Sequence, residues 1–228
     1  MPPMMRQAAG TVGYVALFAV LLRLGAGTWR WPAAWVLLVT LLVIRGASDA
    51  RLWRVQRQLM EERKGLPVRR GQPATDRVLI AAFMATYAAL VALCAADVWR
   101  LHLLPPLAPW LRAIGLAAFV EGWWIVHRAL ETNAFAASVV RHQADRGQVV
   151  VRDGPYAVVR HPMYAGLVAV MVGLALWLGS AAGAIFTAMP VAILAARIRV
   201  EERMLRAELP GYADYAAQVR WRLVPGLW

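Results

Sequence analysis

The chain has 228 residues, of which 61% are hydrophobic, and its formal net charge is +12. The mean hydropathy of +0.51 is typical of an integral membrane protein and excludes an ordinary soluble enzyme. The positive charge does not indicate a nucleic-acid partner, because aromatic residues are not interleaved with the basic runs. We therefore expect a membrane protein whose arginines face lipid or a polar ligand.

Six apolar stretches of the sequence have about the length that a membrane-crossing helix needs. They cover residues 8–25, 31–46, 78–97, 108–127, 163–179 and 182–197. The first lacks a small-residue cleavage site, so we expect a retained helix rather than a signal peptide. Gly179-Ser180 separates the last two stretches and predicts a tight helical hairpin. The expected fold class is all-α, a polytopic helical membrane protein with about six transmembrane helices, including this C-terminal hairpin.

The lysines and arginines lie mostly on one side of these stretches. With both termini in the cytoplasm, 21 of the 25 fall on the cytoplasmic side. The opposite side holds Arg23, Arg30, Arg100 and Arg112. Because positively charged loops remain in the cytoplasm, the sequence predicts an integral protein of the inner membrane with both termini cytoplasmic.

The densest cluster of chemical groups comes directly before the fifth apolar stretch. It runs from Gly154 to Tyr164 and contains Arg160 and the pair His161-Pro162. Polar groups are costly to keep beside hydrocarbon, so the cluster is a candidate site. Pro162 suits the first turn of a helix, where free N–H groups and Arg160 would attract an anion. On these residues alone a structural role is favoured, with Arg160 reaching lipid head groups and His161 capping the helix.

A second set of charged residues follows the last apolar stretch. Arg197 and Glu201 are four residues apart, so they share one face of a helix. They leave the membrane beside the same interface as the first cluster, which favours a bound polar ligand. Glu202 lies about 100° round the helix from its neighbour. We expect Glu202 to pair with Arg199 and Arg206 on a solvated face.

Several familiar site patterns are missing from the sequence. It has no G-x-G-x-x-G after a strand, no phosphate-binding loop and no H-E-x-x-H. The four histidines are scattered, so no metal site is predicted. Cys94 is the single cysteine, which excludes a disulfide within the chain.

Six short motifs follow one another through the C-terminal half. They are Asn133-Ala134-Phe135, Val149-Val150-Val151 before Gly154-Pro155-Tyr156, Arg160-His161-Pro162-Met163-Tyr164, Arg197-x-x-x-Glu201-Glu202, Gly211-Tyr212-x-x-Tyr215 and Arg222-Leu223-Val224-Pro225. In this order they resemble the isoprenylcysteine carboxyl methyltransferase family, which groups with membrane phospholipid methyltransferases. The resemblance makes residues 108–228 the methyltransferase core and leaves residues 1–107 as an N-terminal transmembrane scaffold.

The resemblance implies a methyltransferase that uses S-adenosyl-L-methionine, held in a cytoplasmic cofactor-binding region by membrane-proximal helices rather than by a Rossmann domain. The cofactor-binding residues that it implies are Gln148, Val149, Val150, Val151, Tyr156, His161, Pro162, Met163, Tyr164 and Glu201. Arg197 is implied as the catalytic and substrate-binding residue that holds the carboxylate of the acceptor. The family usually has a histidine at position 148, so the contact there depends on a glutamine amide. Whether Glu201 or Glu202 contacts the cofactor stays open.

The expected reaction is methylation of a lipophilic acceptor that enters from the bilayer, while the cofactor arrives from the cytoplasm. A carboxylate is already ionised at neutral pH, so the enzyme mainly positions donor and acceptor. Alternatives remain open at this point. They are a phospholipid N-methyltransferase or thiol S-methyltransferase of the same fold, a NADPH-dependent membrane reductase, and a non-enzymatic membrane protein with a vestigial pocket.

Overall fold

The computed structural model describes residues 3–63, 72–136, 143 and 146–228. The regular elements of these residues are helical. The α-helices are α1 Pro3–Ala26, α2 Pro32–Val55, α3 Arg57–Glu62, α4 Ala74–Ala96, α5 Pro109–Thr132, α6 Pro162–Leu178, α7 Ala181–Phe186, α8 Ala188–Glu208 and α9 Tyr212–Gln218. A π-turn, Asp97–Leu101, extends α4, and a 3-10 turn spans Gly154–Ala157. Four of the basic residues counted on the predicted cytoplasmic side, Lys64, Arg69, Arg70 and Arg141, lie outside the described residues, as does His142.

Four helical stretches in the described parts of the chain are long and apolar enough to cross a membrane. They are Gln7–Ala26, Pro32–Val55, Ala74–Leu101 and Ala181–Glu208, the last of which joins α7 to α8. Helix α6 is equally apolar but has only 17 residues. Helix α5 has 24 residues and carries the charged side chains of Arg112, Glu121 and Arg128. The prediction of an all-α, polytopic membrane protein is therefore confirmed.

The predicted C-terminal hairpin is also confirmed. Gly179 ends α6 with a φ of 86°, a left-handed conformation that glycine adopts at little steric cost. Ser180 then caps α7, since its hydroxyl oxygen accepts a hydrogen bond from the Gly183 N–H at 2.8 Å. The same hydroxyl donates to the Asp97 carboxylate at 2.7 Å. The turn of the hairpin is thus attached to the end of α4.

Helices α5 and α6 pack unusually close together through glycines. A Cβ atom added at Gly122 would lie 2.6 Å from the Gly166 oxygen, and one at Gly173 would lie 2.4 Å from the Phe119 nitrogen. Apolar burial does not drive helices together within lipid. Helix packing there depends on small residues, which let the two backbones approach each other closely. This contact places the N-terminal half of α6 against the C-terminal half of α5.

The C-terminal tail returns to the N-terminus of α6 after α9. The backbone N–H of Arg160 donates to the Trp221 oxygen at 2.9 Å, and that of His161 donates to the Arg222 oxygen at 3.0 Å. These bonds satisfy backbone groups directly before α6. The tail thereby brings α9 and the C-terminal end of α8 against the first predicted cluster.

Candidate active site

An open cavity lies where the segment before α6 meets α9 and the C-terminal end of α8. Its empty volume, mouth included, is about 770 Å³. Nine of the predicted cofactor-binding residues line it, namely Gln148, Val149, Val150, Val151, Tyr156, His161, Met163, Tyr164 and Glu201. Pro162 instead occupies the first turn of α6, and Arg197 is not among the residues that line the cavity.

The two stretches of sequence meet through the side chain of Tyr164. Its hydroxyl donates to the Glu201 carboxylate at 2.8 Å and accepts a hydrogen bond from Arg197 at 2.9 Å. The ring of His161 stacks on the Tyr164 ring with 5.7 Å between centroids and 14° between planes. The structure therefore joins His161, Arg197 and Glu201 around one buried tyrosine.

Arg197 is held in place by a carboxylate from the N-terminal half. Its Nε donates to Asp76 at 2.8 Å, and Asp76 is completely buried. Gln72 donates to the second carboxylate oxygen of Asp76 at 2.6 Å. Sequence reasoning missed Asp76, since a lone acidic residue at the start of an apolar stretch has the pattern of an ordinary first-turn residue. The pairing shows that residues 1–107 contribute to the surroundings of the site.

Glu202 turns away from the cavity into a buried ion cluster. It accepts hydrogen bonds from Arg160 at 2.7 Å and from Arg222 at 3.0 Å. Only 4% of Glu202 is exposed. The prediction that it pairs with Arg199 and Arg206 on a solvated face is wrong, because the tail covers that side of α8. Glu202 therefore joins α8 to the tail and to the N-terminus of α6.

Arg160 and His161 also differ from their expected structural roles. Arg160 is 6% exposed and donates to the backbone oxygens of Val219 at 2.6 Å and Arg220 at 2.8 Å, so it does not reach lipid head groups. His161 is the N-cap residue of α6, as expected, but its side chain makes no capping hydrogen bond. Its Nε2 lies 3.2 Å from the Glu202 carboxylate instead. Both residues hold the N-terminus of α6 to the tail.

The cavity has an aromatic wall contributed by the 3-10 turn and α9. The hydroxyl of Tyr215 donates to the Tyr156 oxygen at 2.8 Å, and burial raises the pKa of Tyr215 to about 12. Burial also raises the pKa values of Tyr156 and Tyr212, so all three phenols remain protonated at neutral pH. The Tyr212 hydroxyl is buried without a hydrogen-bond partner among the described residues. A polar group of a ligand would satisfy it.

The opposite wall comes from the segment between α5 and α6. The amide oxygen of Gln148 accepts the N–H of Gln143 at 2.8 Å, and the amide nitrogen of Gln143 donates to the Phe135 oxygen at 2.7 Å. Gln143 has a buried side chain and no motif that marked it in the sequence. The lining residues that were not among the predicted site residues are Asn133, Phe135, Ala136, Gln143, Arg160, Met204, Leu205, Leu209, Tyr212 and Tyr215. Five of these residues lie in the motifs quoted above, and that position could have added them to the predicted site. They are Asn133, Phe135, Arg160, Tyr212 and Tyr215.

Comparison with known proteins identifies the region that builds this cavity. Residues 110–209 match the phospholipid methyltransferase family. This region contains α5, α6 and α8, and with them most of the cavity wall. No curated protein matches the chain. The resemblance to membrane phospholipid methyltransferases that the motifs indicated is therefore confirmed for residues 110–209.

A solved structure has a similar fold. It is the eukaryotic intramembrane Ras methyltransferase ICMT, an isoprenylcysteine carboxyl methyltransferase, with a TM-score of 0.53 and 21% sequence identity. The alignment covers 93% of this chain and 75% of that chain. At this identity the likeness establishes the fold, while function depends on the residues of the site. In the described parts of the chain, no group of three or more His, Cys, Asp or Glu could hold a metal ion.

Proposed function

We propose that this protein uses S-adenosyl-L-methionine to methylate a lipophilic acceptor at the cytoplasmic membrane interface, most like an isoprenylcysteine carboxyl O-methyltransferase. One observation carries the proposal. The segment before α6 and the carboxylate of Glu201 enclose a single cavity, and Tyr164 connects that carboxylate to Arg197. Donor and acceptor can thus be held on the two sides of one tyrosine.

The residues of the cavity fit this cofactor. Glu201 offers a carboxylate for ribose hydroxyls or an ammonium group. The faces of Tyr156 and Tyr212 can contact adenine or a positively charged sulfur. The Tyr212 hydroxyl has no hydrogen-bond partner among the described residues, so it can supply a polar contact for a bound ligand. We therefore assign the cofactor to Gln148–Val151, Tyr156, His161–Tyr164 and Glu201.

When bound, S-adenosyl-L-methionine supplies a methyl group on a cationic sulfur, which a lone pair on the acceptor can displace. The chain needs to align this displacement and exclude water, and alignment alone contributes a large part of the rate enhancement. Apolar side chains of Met163, Met204 and Leu205 line the cavity and exclude water there. An ionised carboxylate acceptor requires no proton transfer.

Arg197 is the proposed catalytic cation that attracts the acceptor carboxylate. It is 5% exposed, and Asp76 and Tyr164 fix the direction of its guanidinium. A guanidinium held by two partners keeps its geometry while the acceptor arrives. Asp76 is therefore a positioning residue, because it acts through Arg197.

The membrane arrangement completes the proposal. We propose six crossings, formed by α1, α2, α4, α5, α6 and the α7–α8 stretch, with both termini in the cytoplasm and the protein in the inner membrane. The bundle then divides into a scaffold at residues 1–107 and a methyltransferase core at residues 108–228. The cofactor enters from the cytoplasm and the acceptor from the bilayer.

A phospholipid N-methyltransferase is the second candidate, because residues 110–209 match the family of that name. An amine acceptor differs from a carboxylate in that it must lose a proton before it can attack. Thiol acceptors and NADPH chemistry have no specific observation in their favour.

Purified protein in nanodiscs, supplied with radiolabelled methyl donor, tests the proposal. The acceptors are a prenylcysteine, phosphatidylethanolamine and a small thiol, and the label should enter the prenylcysteine. Calorimetry should show binding of adenosylhomocysteine and none of NADPH. If NADPH binds and adenosylhomocysteine does not, the methyltransferase proposal is refuted. If the label enters phosphatidylethanolamine alone, the second candidate replaces the first.

A further inference from the structure

A larger cavity lies beside the active-site cavity, between α1, α2, α4 and α5. Its empty volume, openings included, is about 2040 Å³. Apolar side chains of α1, among them Leu17, Phe18 and Leu21, line part of it. In the part of the chain that the structure describes, Met163 is the one residue that lines both this larger cavity and the active-site cavity. The two spaces therefore adjoin at a single side chain.

The first two turns of α6 explain this position of Met163. Residues four apart lie on the same face of a helix, and Met163 and Leu167 both line the larger cavity. Tyr164 is rotated by about 100° from its neighbour, and it lines the active-site cavity instead. The start of α6 thus separates the two cavities, with Met163 at the boundary.

A guanidinium from the N-terminal half holds this boundary closed. Nη1 of Arg63, at the end of α3, lies 3.8 Å from the Met163 sulfur and donates to the Ala136 oxygen at 2.6 Å. Arg63 lines the larger cavity, whereas Ala136 lines the active-site cavity. Burial lowers the pKa of Arg63 to about 10, so the group is still a charged donor at neutral pH. One side chain therefore connects Met163 to the backbone on the far side of the boundary.

We infer that Met163 is a specificity-determining residue, because its side chain forms the partition between the two cavities. The thioether must move aside before a reacting group reaches the donor methyl, so an unbranched group passes and a branched one is excluded. Arg63 is a positioning residue, since it acts through Met163. The acceptor carboxylate still binds Arg197 beside Tyr164, beyond the partition. The inference deepens the proposed function and depends on it for the arrival of the acceptor from the bilayer.

Methionine is suited to such a partition. Its unbranched side chain has three rotatable bonds and adapts to irregular space, so it can be displaced without moving the backbone of α6. Its sulfur is a weak acceptor, which allows the contact with Arg63 to open. In a fitted site, one additional methylene group changes the relative rates of two substrates about 10–200-fold. A single branch on the acceptor should therefore be detectable.

The first test compares two acceptors on the full chain in nanodiscs. They are N-acetyl-S-farnesylcysteine and its α-methyl analogue, whose carboxylate is attached to a fully substituted carbon. At saturating methyl donor, the wild type should prefer the unbranched acceptor in kcat/KM. Met163→Ala should reduce this preference about tenfold or more, and Met163→Leu, which nearly conserves volume, should retain it. The ratio is measured on one enzyme sample, so a loss of stability or of cofactor affinity does not change it.

Two other methionines provide matched controls. Met204 lines the active-site cavity but not the larger one, and Met60 lines the larger cavity but not the active site. Met204→Ala should raise the KM of the cofactor, and Met60→Ala should raise the KM of both acceptors equally. Neither should alter the ratio between the acceptors. Arg63→Gln should shift that ratio in the same direction as Met163→Ala but by a smaller factor, whereas Arg57→Gln, on an exposed part of α3, should not.

Protection of an introduced thiol tests the position of the partition without turnover. The wild type is the blank, because Cys94 is its single cysteine and is completely buried. Met163→Cys, Met204→Cys and Met60→Cys are each labelled with N-ethylmaleimide. Adenosylhomocysteine should protect the first two variants, and N-acetyl-S-farnesylcysteine should protect the first and third. Protection by both ligands is expected for Met163→Cys alone.

The outcomes distinguish the inference from the proposed function. An unchanged acceptor ratio in Met163→Ala would overturn the inference. So would protection of Met163→Cys by one ligand alone while the two control variants are protected as expected. If adenosylhomocysteine protects neither Met163→Cys nor Met204→Cys, the cofactor site and the proposed function are refuted, and the inference fails with them.

Discussion

Two cavities of the molecule differ in how their polar side chains are satisfied. Around the candidate active-site cavity, Tyr164 links Arg197 to Glu201 through short hydrogen bonds. Around the larger cavity between α1, α2, α4 and α5, Nε of Arg45 and Nε1 of Trp123 find no partner among the described residues. Because unsatisfied donors are costly in a membrane interior, side-chain hydrogen bonds stabilise the first cavity, whereas the second contains donors that destabilise it.

A similar contrast separates two adjacent residues of α8. Glu201 lines the active-site cavity, whereas Glu202 is buried between Arg160 and Arg222. The rotation between consecutive helical residues points one carboxylate at a ligand and the other at the tail. Replacing each in turn should therefore separate binding from stability.

The largest effect is expected from Glu202→Ala. It leaves the buried guanidinium of Arg160 without its carboxylate, which should destabilise the protein by about 3–5 kcal/mol. Thermal unfolding in detergent measures the loss. The control is Glu61→Ala, whose side chain is 51% exposed, so its loss should lie within about 0.5 kcal/mol of zero. Similar melting temperatures for the two variants would show that the ion cluster does not hold the tail.

Asp76→Asn should have the next largest effect. An amide cannot balance the charge of Arg197, so we expect a stability loss of about 2–3 kcal/mol. Methyl transfer should fall as well, while adenosylhomocysteine binding remains close to wild type. Asp214→Asn, on the exposed side of α9, is the control. Full activity in the Asp76 variant would contradict its role in positioning Arg197.

Glu201→Gln should affect binding rather than folding. Loss of a charge-assisted contact contributes about 1.5–3 kcal/mol, so the Kd of adenosylhomocysteine should rise about tenfold or more. The melting temperature of the ligand-free protein should change little, in contrast to Glu202→Ala. Calorimetry and thermal unfolding on the same sample distinguish the two carboxylates. An unchanged Kd would remove Glu201 from the cofactor site.

The smallest effect is expected from Tyr212→Phe. Removing a buried hydroxyl that has no partner within the described residues should leave stability unchanged or raise it by up to about 1 kcal/mol. The Kd of adenosylhomocysteine should still rise a few-fold, because the ligand loses one hydrogen bond. The control is Tyr215→Phe, whose hydroxyl donates to the Tyr156 oxygen, so its main cost should be in stability.

Much of the fold was predictable because membrane insertion depends on local properties. Apolar length, the placement of arginines and the Gly179-Ser180 break are all properties of short windows of sequence. They predicted an all-α membrane protein with a C-terminal hairpin, which the structure confirms. The ordered motifs also contain most of the residues that line the candidate active-site cavity, because each motif is a short segment that the sequence alone can show.

Only the tertiary structure decided which charged groups pair across long distances. Asp76 meets Arg197 and Arg160 meets Glu202 because α4, α8 and the tail pack around the start of α6. No periodicity within one helix encodes such a partner, so Glu202 was placed on a solvated face and Asp76 was missed. The cavity between α1, α2, α4 and α5 was hidden for the same reason, since Arg45 and Arg63 line a common space only when the helices pack together.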